Sequence, residues 1–132
     1  MIETPSLLIT DDDIAFRTTL RDVFEPRGFR TLLAADGEEA LEIISRGEQI
    51  HLLLLDMHMP KLTGLETIRR VKSISRAVPC ILISAGMDDV LAQQAREADA
   101  YEVLRKPIRV FELTKVVREA LEAAYNWKFD RS

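Results

Sequence analysis

Short apolar runs and apolar positions at helical spacing alternate along the chain. Residues 7–10 form a first apolar run, and behind it Phe16, Leu20, Val23 and Phe24 recur at helical spacing until Pro26 and Gly28 interrupt them. The pattern predicts a strand followed by a helix. Residues 29–34 predict a second strand, and Asp36 with Glu39 three residues later resembles a capping box that opens a helix through Ala40, Leu41 and Ile44, closed by Gly47. A third strand is predicted over residues 52–55. Thr63 and Glu66 would cap the next helix, with Leu65, Ile68 and Val71 on its inner face. Residues 79–84 read as a fourth strand, 88–96 as a helix resting mainly on Val90, Leu91 and Ala95, and 101–104 as a fifth strand. After Pro107 a last helix shows Leu113, Val117, Leu121 and Ala124 on one face.

Strict alternation of this kind points to a parallel sheet with helices on both faces, because parallel neighbours need a crossover and a helix is the usual one. The four leucines at 52–55 show no apolar/polar alternation, as expected of a central strand covered on both sides. At 132 residues the chain predicts one core, and its apolar fraction of 47% and charged fraction of 30% are those of a globular domain that folds alone. We divide it into a domain over residues 1–124 and a tail over 125–132. In that tail Tyr125, Trp127 and Phe129 form an aromatic cluster, read as folding back on the domain or as a partner-binding segment.

A formal charge of -4 leaves no basic stripe for a nucleic-acid backbone, so no direct nucleic-acid binding is expected. One cysteine, Cys80, cannot build a disulfide framework, and a reducing cytoplasm is the expected location. Neither an apolar stretch long enough to span a bilayer nor a basic leader is present, so no membrane insertion is expected.

Ligands of open parallel sheets bind outside the carboxyl ends of the strands. Those ends carry Asp11, Asp12 and Asp13 after the first strand, Asp56 on the third, Ser84 on the fourth, and Lys106 followed by Pro107 after the fifth. Singly each has an ordinary explanation: an aspartate after a strand is often a helix N-cap, Asp13 above all, and a serine or Lys-Pro there is often plain turn chemistry. Together they demand more, since two carboxylates about 5 Å apart repel by roughly 3 kcal/mol at an effective dielectric near 20. A hard divalent cation with oxygen ligands would offset that repulsion, with Lys106 supplying further positive charge. Such a pocket suits nucleophilic attack by Asp56 on phosphorus, because its cations screen the incoming phosphoryl oxygens.

The residues then resemble a known family. Leu7-Leu8-Ile9-Thr10-Asp11-Asp12 followed by Arg17, Leu53-Leu54-Leu55-Asp56-Met57-His58-Met59-Pro60 with Gly64, Ile81-Leu82-Ile83-Ser84-Ala85 and Lys106-Pro107 resemble, in order and spacing, the motifs of response-regulator receiver domains of two-component signalling, over about residues 7–121. The resemblance implies a flavodoxin-like, doubly wound, five-stranded parallel sheet of order 2-1-3-4-5 with five helices, and a commonly cis Pro107. It implies a stand-alone regulator of the chemotaxis-receiver kind that is not an enzyme. Asp56 would accept a phosphoryl group from a histidine kinase or histidine phosphotransfer protein, with Mg²⁺ (or Mn²⁺) held by Asp11, Asp12, Asp56 and the main-chain carbonyl of His58. Lys106 and Ser84 would each hold a phosphoryl oxygen. The donor would dock on Asp13, Phe16, Thr19, Pro107 and Ile108. A downstream protein would read the face made by the fourth helix, fifth strand and fifth helix, through which a monomer could also form a weak homodimer.

Departures from the family pattern are informative. The aromatic switch residue three positions before the lysine is Val103 here, and Tyr101, two residues earlier on the same strand face, could take over part of its role. The two positions that tune phosphoryl lifetime are His58 and Gly86, one bulky and one open, with opposing effects. A receiver-like scaffold that ignores phosphate would have lost an acidic residue or the lysine. A receiver excised from a longer regulator would look much the same as this chain. A flavodoxin-type carrier needs a donor-rich loop where three aspartates stand. An aspartate-nucleophile phosphatase usually has a second aspartate at position 58.

Overall fold

In a computed structural model that describes residues 2–128, the chain alternates strand and helix five times. The elements are β1 (Ser6–Thr10), α1 (Ile14–Phe24), β2 (Arg30–Ala34), α2 (Gly37–Ser45), β3 (Leu52–Asp56), α3 (Gly64–Ile74), β4 (Cys80–Ser84), α4 (Asp89–Glu97), β5 (Glu102–Arg105) and α5 (Val110–Tyr125). All neighbouring strands pair in parallel in the order β2-β1-β3-β4-β5.

Local chemistry sets the helix boundaries. The Asp13 carboxylate accepts from the amides of Ala15 and Phe16 and caps α1. A 3-10 turn through Pro26 ends that helix, and Gly28 reverses the chain at φ +93°, where a side chain would be strained. Thr63 and Glu66 form a full capping box on α3, each side chain bonded to the other's amide. At α2 the box is displaced: Asp36 accepts from the Glu39 amide, but the Glu39 carboxylate reaches past it to the amide of Ala35.

The sheet separates two apolar layers by strand alternation. Leu7, Ile9, Leu52, Leu54, Ile81 and Ile83 point to the side covered by α1 and α5, where they meet Leu20, Phe24, Leu113, Val117 and Leu121. Leu8, Leu53, Leu55, Cys80 and Leu82 point to the side covered by α2, α3 and α4, among Ala40, Ile43, Leu65, Ile68, Val71 and Ala95. Burial on both faces explains the unbroken run of β3. Two expected core positions lie outside, Val90 at 64% exposed and Ala124 exposed, whereas Ala98 and Ala120 are buried. Helical spacing selects a stripe, but only the crossing helix and sheet decide which edge of it is covered.

Beyond α5, Trp127 packs on the first layer with its ring centroid 5.8 Å from Phe29. The Tyr125 hydroxyl donates to the carbonyl of His51 at 2.7 Å, and the two rings meet edge on. His51 is buried, and its Nδ1 accepts the amide of Ser6 at 2.9 Å, so this one residue, through its ring and its carbonyl, ties the starts of β1 and β3 to the end of α5. Phe129 lies outside the described residues. Among the described residues no helix is long and apolar enough to cross a membrane.

Candidate functional site

Parallel register delivers the strand ends to one edge: Thr10 stands beside Leu55, Asp56 beside Ile83, and Ser84 beside Arg105. Asp11 follows β1 directly, and Lys106 follows β5 with its amide bonded to the Ser84 carbonyl. One carboxylate oxygen each from Asp11, Asp12 and Asp56 lie within 4.8 Å of one another. Asp11 and Asp56 are buried and Asp12 is exposed, so the group opens to solvent on the Asp12 side.

The backbone holds these groups in place. Asp11 Oδ1 accepts the Asp13 amide at 2.8 Å, its carbonyl accepts the Arg17 guanidinium at 2.6 Å, and Asp56 Oδ2 accepts the His58 amide at 3.2 Å. Asp11 Oδ2 is buried without a hydrogen-bond partner. Burial pushes the Asp11 carboxyl from 3.8 up to about 6; the Asp13 amide and Lys106 oppose the rise, while the charges of Asp56 and Asp12 add to it. An unpartnered, reluctantly ionised oxygen amid three carboxylates is what a hard cation would satisfy, and the donor set fits Mg²⁺ or Mn²⁺.

Lys106 faces this group from the other strand. Its ammonium lies 2.9 Å from Asp56 Oδ1, a charge contact without an aligned hydrogen bond, and 3.9 Å from Asp11 Oδ2. Burial pulls the ammonium's pKa down, but contact with Asp56 and the charges of Asp56, Asp11 and Asp12 outweigh it, leaving the pKa above the ordinary lysine value. The ring of Phe16, on α1, lies beneath the ammonium at 4.8 Å. The Lys106–Pro107 bond is cis.

Ser84 is buried beside this pocket with its hydroxyl turned to the carbonyl of Gly86 at 2.6 Å. An open groove of about 510 Å³ adjoins it, lined among others by Met57, His58, Met87, Val90 and Leu91. Val103 and Tyr101 line a neighbouring groove together with Met87, Ala95 and Ala100. The strand begins at Glu102, so Tyr101 stands just before β5 and not within it as the periodicity suggests. Met87 borders both grooves, a position the sequence did not single out because nothing in its local pattern marks it.

On the α1 side, Asp13, Thr19 and Pro107 are exposed and Phe16 and Ile108 half-buried. Ile14 (69% exposed) and Phe111 (77%), neither of them on the inner stripe that the spacing predicts, present apolar side chains to solvent. Asp13 caps α1 and is not one of the three clustered carboxylates.

Known proteins match the same stretch. The family model described as response regulator receiver domain covers residues 7–118. The chain is 32% identical over 120 residues to sporulation initiation phosphotransferase F of Bacillus subtilis, covering 91% of this chain and 96% of that one. It is 31% identical to the transcriptional regulatory protein CpxR of Escherichia coli, where it spans 50% of the longer relative. Among solved structures, a receiver domain protein of Clostridium thermocellum superposes with a TM-score of 0.84 at 28% identity, over 90% of this chain and 95% of that one. A CheY-like receiver of Methanospirillum hungatei gives 0.88 at 23% identity, over 93% and 98%, a likeness of fold. A family model over residues 7–118, with relatives and solved receivers matched over nine-tenths of the chain, means that this chain belongs to the response regulator receiver domain family.

Proposed function

We propose that this receiver accepts a phosphoryl group on Asp56 from the phosphohistidine of a histidine kinase or histidine phosphotransfer protein. The observation that carries the reading is Lys106, 2.9 Å from Asp56 Oδ1, inside a carboxylate cluster that leaves Asp11 Oδ2 unpartnered. A carboxylate oxygen of Asp56 attacks phosphorus as the nitrogen–phosphorus bond breaks, and the departing imidazole takes up a proton. Lys106 follows the phosphoryl oxygens and neutralises charge that moves onto them. Asp11, Asp12, Asp56 and the His58 carbonyl would hold Mg²⁺ or Mn²⁺, which when bound supplies the remaining positive charge. The acceptor is consumed, not turned over by an external substrate, so we read the protein as a phosphoacceptor that assists its own reactions and not as an enzyme.

The new group carries about 1.5 to 2 negative charges near neutral pH. Ser84 leaves the Gly86 carbonyl to donate to a phosphoryl oxygen, freeing the loop before α4, and a protein partner reads the face made by α4, β5 and α5. The lone buried Cys80 suits the cytoplasm, where we place this exchange. Incubation with acetyl phosphate, with and without Mg²⁺, followed by intact mass spectrometry tests the proposal. A single phosphoryl adduct should form on the wild type only with the metal, and not on Asp56→Asn. An adduct of equal yield on the variant would overturn it.

A further inference from the structure

We infer that Phe16 is a positioning residue for the phosphoryl transfer itself, holding the Lys106 ammonium over the acidic cluster through its ring face. The inference rests on the phosphoacceptor reading of Asp56. It adds a role for Phe16 that does not depend on partner docking.

Three surfaces surround the ammonium: Asp56 Oδ1 at 2.9 Å, Asp11 Oδ2 at 3.9 Å and the Phe16 ring centroid at 4.8 Å. The first two must be shared once a phosphoryl group arrives, because both carboxylates have other work to do. Lys106 then needs a contact that survives a shift of its ammonium toward phosphorus. A carboxylate would hold it by direction and distance. The negative face of an aromatic ring attracts a cation without a fixed bond direction, so the ammonium can slide across it at little cost. Lys106 is about one-third exposed at its side chain, and four methylenes leave it many rotamers that swing toward water. A ring wall removes some of those outward rotamers. Phe16 is itself placed by the first turn of α1, where Asp13 fixes the helix start and accepts from the Phe16 amide. The neighbouring Arg17 locks the Asp11 carbonyl, so both sides of the Lys106 pocket are referred to one helical turn.

Acetyl phosphate makes no protein docking contact, so it isolates this role from recognition of a kinase. At saturating Mg²⁺, the rate of adduct formation should fall roughly three- to tenfold in Phe16→Leu, the span expected for losing one cation–π contact. Phe16→Tyr, which keeps the ring, should restore it to within about twofold of wild type. In the wild type the Lys106 Hε protons should be shifted upfield by the ring current, a signature lost in Phe16→Leu and kept in Phe16→Tyr. Equal rates for wild type and Phe16→Leu, or equal slowing in the leucine and tyrosine variants, would overturn the inference. So would an absent ring-current shift in the wild type, which needs no variant to fold. A wild type that forms no adduct at all would instead remove the phosphoacceptor reading beneath it.

Discussion

The hydroxyl of Ser84 donates to the carbonyl of Gly86 at 2.6 Å, which ties the end of β4 to the loop leading into α4. In this state the hydroxyl is committed to the loop and not to the Asp56 pocket. Ser84→Ala should therefore do two separable things. Stability should fall by about 1 kcal/mol, the usual net worth of one such bond, with faster amide exchange at residues 86–88. Phosphorylation by acetyl phosphate should slow by roughly tenfold, since a hydrogen bond to a charged phosphoryl oxygen is lost. Ser84→Thr should recover most of the rate.

Asp11 costs the metal-free fold stability, because a buried carboxylate whose pKa stands at about 6 resists ionisation at neutral pH. Asp11→Asn should raise the melting temperature in EDTA, by a stabilisation of up to about 3 kcal/mol at the linkage limit. The same variant should lose most of the rise that Mg²⁺ gives the wild type, since a ligand stabilises only the form that binds it. Thermal melts of both proteins with and without Mg²⁺ read the two effects. A variant destabilised in EDTA would count against this account of Asp11.

The buried His51 supplies a pH dependence. Burial lowers its pKa below 6.5, and its Nδ1 must stay unprotonated to accept the Ser6 amide. Below about pH 6.5 the unfolded chain binds a proton that the folded chain refuses, so this contribution is present above that pH and lost as pH falls toward the folded pKa. The slope is at most about 1.4 kcal/mol per pH unit. Urea titrations from pH 7.5 to 5.5 should show the stability gap between wild type and His51→Gln narrowing as the pH drops.

Glycine at two positions near the pocket should behave in opposite ways. A Cβ on Gly64 would collide with the Asp56 carbonyl and the Leu82 side chain, whereas one on Gly86 would meet nothing within 4 Å. Gly64→Ala should lose roughly 1 to 3 kcal/mol and slow adduct formation by displacing the Asp56 backbone. Gly86→Ala should change stability by less than about 0.5 kcal/mol. Denaturant midpoints with matched phosphorylation rates would check both.

What the sequence reveals depends on how local the cause is. Thr63 and Glu66 are three residues apart, and the box they predict is present on α3; the run at 52–55 needs only burial on both faces, and β3 has it. Alternation predicts the parallel sheet, its order 2-1-3-4-5 is legible only through the family resemblance, and the convergence of Asp11, Asp12, Asp56 and Lys106 follows from where each strand ends. The contacts of His51 escape notice because its partners are 45 and 74 residues away. Met87 joins two grooves only once α4 is laid against β5. Val90 and Ala124 keep the right period and still face water, since a stripe of spacing says nothing about how wide the covering neighbour is. Phe16 is legible as an apolar α1 residue, but its place beneath an ammonium 90 residues away is not.

The clasp of Tyr125 and Trp127 sits at the amino end of β3, five residues of extended chain, or about 16 Å, from Asp56. Trp127 is the chain's single tryptophan, packed at a tilt against Phe29 at the opposite end of the strands from the acidic edge. Its emission should follow loss of the folded state while staying almost blind to occupancy of the pocket. Spectroscopic titration of cations or phosphodonors in this protein therefore calls for a reporter introduced on the other pole.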